Sequence, residues 1–171
     1  MCVDNDCHDP NGRRRFIAGT TLALAGLASG GAAQPPPMRV LDDPAVSHGR
    51  VEFAGVGGYL ARPRVPGRVP AVLVVAGNVI TEEYIPNTCA ALALGGFVGL
   101  APDIYHALPV DGSREQVNAF LAAHTDRNYL ADIRAGADYL RGHASVAAGP
   151  MGILGFCSGG RRALLYAAAF D

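Results

Sequence analysis

The run Met151-Gly152-Ile153-Leu154-Gly155-Phe156-Cys157-Ser158-Gly159-Gly160 decides how this chain folds. A short apolar segment reaches Gly-Phe-Cys-Ser-Gly and passes without a linker into the helix-forming stretch that ends at Phe170. A strand that turns straight into a helix through G-x-nucleophile-x-G is a nucleophile elbow. The turn is so sharp that its central residue takes strained backbone angles, with φ > 0. Side chains two positions to either side would collide, which accounts for Gly155 and Gly159. The turn lifts the Cys157 sulfur to the top of a sheet. The helix beginning at Ser158 aims its free N–H groups and positive end at that point. This favours the reactive thiolate and makes the Ser158 N–H a natural donor to an oxyanion. An inert Cys at a glycine-rich turn is the competing reading of the pentapeptide. A dinucleotide-binding G-x-G-x-x-G would need Gly at 157 and would normally follow the first strand.

Upstream of the elbow, strand-like and helix-like segments alternate. Arg50 to Ala54 and Gly58 to Arg62 are short strand-like runs separated by Gly-rich turns, and a hairpin is expected there. Pro70 to Ala76 is a Val-rich apolar run of the kind that is buried on both faces of a parallel sheet. Glu82 to Leu94 carries Ile85, Cys89, Leu92 and Ala93 at helical spacing and stops at Gly95-Gly96. Phe97 to Ala101 is another buried strand, running into Pro102-Asp103-Ile104-Tyr105. Ser113 caps a helix through about Ala123, and a second runs from about Asp126 to Arg141 with Tyr129, Ile133, Ala137 and Leu140 on one face. The order predicts an α/β fold, with a mostly parallel sheet and flanking helices.

Composition is consistent with such a core. Of 171 residues, 50% are hydrophobic and 17% charged, with a net charge of −1. That excludes a disordered chain and gives no electrostatic reason to expect a nucleic-acid partner. No apolar run is long enough, free of breakers, to predict a stable membrane span.

Residues 1–33 read as a leader. A polar start meets Arg13-Arg14-Arg15-Phe16-Ile17, a mildly apolar stretch follows, and Gly31-Ala32-Ala33 closes it. This order of basic, apolar and small residues is that of a signal peptide. The Arg pair and weak hydrophobicity predict the twin-arginine type, hence the twin-arginine export machinery as a partner and a periplasmic or secreted location. Residues 34–49, with Pro35-Pro36-Pro37, are expected to be a Pro-rich linker, and 50–171 the catalytic-fold domain. Of the four Cys, Cys2 and Cys7 lie within the leader. Cys89 sits in a helical apolar pattern and Cys157 in a motif that needs a free thiol, so no disulfide is expected between them. No metal site and no cofactor are expected.

Three blocks carry a family resemblance: Gly58-Tyr59-Leu60-Ala61-Arg62-Pro63, Ala101-Pro102-Asp103-Ile104-Tyr105 and Gly155-Phe156-Cys157-Ser158-Gly159-Gly160. In that order and spacing, from about Val51 to Asp171, the chain resembles the dienelactone hydrolases (carboxymethylenebutenolidases), Cys-dependent α/β-hydrolases. The resemblance implies Cys157 as nucleophile and a small-molecule ester or lactone as substrate. It implies Ser158 and Asn78 as the residues whose backbone N–H groups form the oxyanion hole, and Arg114 as a cation for a substrate carboxylate. Arg161 and Arg162, in the first turn of the elbow helix, are expected on an exposed face.

Two departures from the family pattern stand out. The family usually has an acidic residue just after the strand matching Pro70 to Ala76, where this chain has Gly77. In α/β-hydrolases an acid and then a His follow the nucleophile, whereas His8, His48, His106, His124 and His143 all precede Cys157. His106, after the Pro-Asp-Ile-Tyr turn, is expected as a loop residue. The chain is therefore expected to be the front of a longer hydrolase, cut after the elbow helix and without turnover by itself. Two alternatives stay open: a truncated or degenerate hydrolase fold without catalysis, and a class I glutamine amidotransferase-like Cys enzyme.

Overall fold

The computed structural model describes residues 40–77, 83–109 and 111–170. The leader, and Asn78 with the loop that follows it, lie outside the described residues. Five strands and four α-helices follow one another in the expected order: β1 (Val46–Phe53), β2 (Val56–Pro63), β3 (Ala71–Val75), α1 (Tyr84–Leu94), β4 (Val98–Pro102), α2 (Arg114–Ala123), α3 (Asp126–Gly142), β5 (Gly152–Gly155) and α4 (Ser158–Phe170). They build one mixed sheet in the order β1-β2-β4-β3-β5. The β4-β3-β5 part is parallel, while the β1–β2 hairpin is antiparallel and joins it through an antiparallel β2–β4 pairing.

The hairpin turns on Ala54 and Gly55, both at positive φ, with Phe53 facing Val56 across the turn. Two central residues at φ > 0 give the tight turn whose twist matches that of the strands. One boundary is corrected. β1 begins at Val46, not Arg50, so residues 46–49 belong to the sheet and not to a linker over 34–49. Val46-Ser47-His48-Gly49 has no clear apolar alternation. Its place is set by backbone pairing with Leu60 to Pro63 on β2, a long-range partnership that local composition does not encode.

The interior strands divide their side chains between two layers, as the two-residue strand period requires. Leu73 and Val75 of β3 join Leu100, Ile104, Ile133, Ala137, Leu140, Ala163 and Tyr166 in the core beneath α3 and α4. Val74 and Ala76 join Ile85, Cys89, Ala90, Ala93 and Ala101 beneath α1. The face expected on α3, Tyr129, Ile133, Ala137 and Leu140, is the buried one. α2 buries none of its residues fully, and a capping box between Ser113 and Gln116 holds its start. Among the described residues, no helix is long and apolar enough to cross a membrane.

Candidate active site

β5 ends at Gly155, α4 begins at Ser158, and Cys157 stands between them at φ 50°. Among the described residues only Ala54, in the hairpin turn, is another non-glycine at positive φ. The flanking glycines explain how the chain closes so tightly. A Cβ on Gly155 would lie 2.4 Å from the Gly159 carbonyl oxygen, and one on Gly159 would lie 2.2 Å from that of Val75. Those are overlaps with backbone, which cannot swing away. Cys157 is free and exposed, and Cys89, also free, is buried. Burial pushes the Cys89 thiol up to about 12, so it is inert. The two cysteines have opposite environments on one scaffold.

The neighbourhood of the elbow is a network of four groups. The Gly77 carbonyl accepts from the Tyr105 hydroxyl at 3.1 Å and from the Ser158 hydroxyl at 3.2 Å. Arg162 Nη1 lies 2.6 Å from the Tyr105 hydroxyl and 3.1 Å from Ser158 Oγ, and donates to both. The guanidinium is stacked over Tyr129, 3.7 Å from the ring centroid. The expectation of an exposed face is thus overturned for Arg162, which is half-buried with its Nε enclosed and without a partner. It lies one turn beyond Ser158, so the two share a side of α4. Arg161 points elsewhere: it is exposed and forms a two-pronged ion pair with Asp126, at 2.6 and 2.8 Å. That pair holds the Asp126 carboxyl below its ordinary range.

Of the residues assigned by resemblance, Cys157 and Ser158 come together at the elbow. Among the described residues, the Ser158 N–H donates to no carbonyl. Asn78 lies outside the described residues, immediately after Gly77. Gly77 abuts the elbow: a Cβ there would lie 2.7 Å from the Phe156 carbonyl and 2.9 Å from the Cys157 Cβ. A larger residue at 77, acidic or otherwise, would have to displace the elbow. Arg114 is exposed at the first position of α2. His106 and His124 both face Asp132, with Nε2 3.6 and 3.9 Å from its Oδ2, while His48 bonds to Tyr59 and the Leu41 carbonyl. None of the described histidines hydrogen-bonds to Cys157. No cluster of three metal-ligating side chains suited to an ion occurs among the described residues.

Tyr105 lies in one of the three family blocks, where its neighbours in sequence point to no role for it, and Arg162 reads as a surface residue from the sequence. The four-residue spacing from Ser158 to Arg162 was the available signal.

This arrangement, a mixed sheet whose last described strand lies in its parallel part and feeds a strained Cys elbow, is that of an α/β-hydrolase. The profile of the Dienelactone hydrolase family matches residues 56–171, and the chain belongs to that family. A Bradyrhizobium sp. protein named "Probable 2-oxo-3-(5-oxofuran-2-ylidene)propanoate lactonase" is 42% identical over 111 residues, which are 64% of this chain and 45% of that one. A Salmonella typhi protein named "Putative carboxymethylenebutenolidase" is 32% identical over 161 residues, 87% of this chain and 58% of that one. The solved structure of a "Putative Dienelactone Hydrolase" from Klebsiella pneumoniae superposes with a TM-score of 0.63 at 30% identity, covering 73% of this chain and 55% of that chain. The chain thus spans about half the length of these relatives.

Proposed function

We propose that this chain carries the acyl-transfer site of a Cys-dependent hydrolase acting on lactones and esters, among them substrates that bear a carboxylate. The observation that carries this reading is Cys157: free, exposed and held at φ 50° at the start of a helix. The Cys157 thiolate attacks the substrate carbonyl and a carbon–sulfur bond forms. The carbonyl π pair moves to oxygen, which rests on the Ser158 and Asn78 N–H groups. Collapse of this intermediate expels the alcohol or enolate and leaves an acyl thioester. In intact α/β-hydrolases a His then activates the water that releases the acid. Arg114, exposed at the start of α2, is the cation proposed to meet the substrate carboxylate. A lactone bearing a propanoate is what the Bradyrhizobium relative's name describes, and it fits that class. The leader over 1–33 supports export by the twin-arginine route to the periplasm or beyond.

A positioned general base contributes about 10²–10⁴-fold, and no described His bonds to Cys157. Acylation is therefore expected without sustained turnover. Mixed with p-nitrophenyl acetate, the 171-residue chain should release about one equivalent of p-nitrophenolate and gain an acetyl group on Cys157, read by peptide mass spectrometry. Cys157→Ala should do neither. An unmodified Cys157, or an equal release by the variant, would remove the nucleophile assignment.

A further inference from the structure

We infer that Arg162 is a positioning residue for the Cys157 nucleophile: it directs the Ser158 hydroxyl onto the end of β3 and so braces the strained elbow. This rests on the acyl-transfer reading above and adds to it a part that neither spacing nor resemblance assigns.

Cys157 stands at φ 50°, and a non-glycine residue keeps such a conformation only where its surroundings over-determine it. Both of its neighbours are tied to the chain that ends β3. The Phe156 N–H donates to the Val75 carbonyl at 3.0 Å. The Ser158 hydroxyl donates to the Gly77 carbonyl at 3.2 Å. Cys157 is the bend between these two ties. The first is a backbone bond and does not depend on residue type. The second depends on a side chain and on where its oxygen and hydrogen point.

That side chain has alternatives. A serine in the first turn of a helix can accept from the helix's own free N–H groups, which would turn its oxygen away from β3. The Tyr105 hydroxyl, 3.3 Å from Ser158 Oγ, is another partner. Arg162 removes both choices. Side chains of a helix lean toward its N-terminus, so the residue four positions on reaches back over Ser158. Arg162 Nη1 carries two hydrogens and meets the Tyr105 hydroxyl at 2.6 Å and Ser158 Oγ at 3.1 Å. A guanidinium only donates, so both hydroxyls accept from it and each keeps one hydrogen to give. The Gly77 carbonyl, 3.1 Å from the Tyr105 hydroxyl and 3.2 Å from that of Ser158, has two lone pairs and takes both. The cation is held in turn by the Tyr129 ring at 3.7 Å and the Tyr105 ring at 5.4 Å. Asp126, the acid at the start of α3, is taken by Arg161 on both oxygens.

The brace bears on the reaction because Ser158 has two parts in it. Its side chain makes the second tie, and its N–H is the donor that meets the carbonyl oxygen under attack. Acylation needs the sulfur and that N–H in one fixed relation. Alkylation by iodoacetamide, which displaces iodide at a saturated carbon, needs only an accessible thiol.

The two rates are therefore compared at Cys157, with p-nitrophenyl acetate and with iodoacetamide, by peptide mass spectrometry on the 171-residue chain. Far-UV circular dichroism checks folding. A misplacement of about 1 Å can cost about 10²-fold, so Arg162→Met is expected to slow acylation by about 10–100-fold and leave alkylation within about twofold. Ser158→Ala, which keeps the N–H and removes the tie, should show the same split. Residues that act through one another do not add, so Arg162→Met should cost less than about twofold more in the Ser158→Ala background. Arg162→Lys, with a donor kept, should recover much of the rate. Acylation at the wild-type rate in folded Arg162→Met or Ser158→Ala would overturn the inference. So would an equal slowing of both reactions, or losses that multiply in the double variant. If Arg162→Met fails to fold, Ser158→Ala beside Ser158→Ala/Arg162→Lys decides on the same terms: acylation at the wild-type rate in the first, or a further loss in the second, would overturn it. Absence of acylation in the wild type would instead overturn the acyl-transfer reading itself, and this inference with it.

Discussion

A side chain at position 159 would occupy the space of two backbone carbonyls, those of Val75 and Ala76, at 2.2 and 2.7 Å from its Cβ. This is why the residue after the elbow serine is glycine, and the reason has nothing to do with flexibility. The first turn of α4 lies directly on the end of β3, and a methyl group there would push the two apart. Since β3 leads into Gly77 and Gly77 touches the elbow, the displacement would fall on the site itself. Gly159→Ala is expected to destabilise the chain by about 1–3 kcal/mol or more, the range for overpacking. The urea midpoint should fall, and so should the rate of Cys157 acylation. A variant with an unchanged midpoint and unchanged acylation would show that α4 can move off β3 freely. The elbow was legible at this scale because steric exclusion leaves a mark in the sequence: glycine two positions to either side of Cys157. The Arg162 network left no such mark. Its members, at 77, 105, 158 and 162, are brought together by β3, the turn after β4 and α4, and each looks ordinary in its own segment.

At the scale of elements, the alternation of apolar runs and helical periods placed all four helices and three parallel strands, because those segments bury a face and burial has a period. The start of β1 was not legible, since an edge strand is held by pairing more than by its own side chains. Nor was the arrangement that joins α2 to α3. There His106, after β4, and His124, at the end of α2, converge on Asp132 of α3. Burial holds the Asp132 carboxyl above its ordinary range and Asp103 adds to this, while His106 and His124 pull the other way without cancelling it. Its Oδ2 has no hydrogen-bond partner. A carboxyl that binds its proton more tightly folded than unfolded lowers stability as pH rises. The fall begins near the unfolded value of about 3.9 and ends at the raised folded value. Above that window the contribution stays lost. Asp132→Asn should therefore be more stable than wild type at pH 7, and its urea midpoint should lack the part of the decline that begins near pH 4. If the two proteins show parallel midpoints from pH 4 to 7, Asp132 is not a source of that dependence.

The whole sheet has two edges of opposite character. β1, at one end, buries only its terminal Val46 and Phe53; between them partly exposed positions alternate with exposed ones, and the exposed ones are His48, Arg50 and Glu52. Charges on an edge discourage pairing with another chain. β5, at the other end, pairs only with β3 among the described residues, and its four residues, Gly-Ile-Leu-Gly, include no charge and no proline. Leu154 within it is 39% exposed, and Leu164 and Phe170 of α4 are 72% and 40% exposed. A cleft of about 290 Å³ opens along the same edge, lined by Met151, Ile153, Tyr166 and Phe170, at the opposite end of α4 from Cys157. An uncharged edge flanked by exposed large apolar side chains favours association. The 171-residue chain is therefore expected to self-associate, with a weight-average mass that rises with concentration in sedimentation velocity. Burying a leucine side chain gains about 1.5–3 kcal/mol, so Leu164→Glu should weaken the association by about tenfold or more. The acetyl adduct at Cys157 should form at an unchanged rate in that variant, because the residue lies on the face away from the elbow network and bonds to none of its members. A chain that stays monomeric across the concentration range, or an association that Leu164→Glu does not weaken, would show that this edge is not the surface through which copies meet.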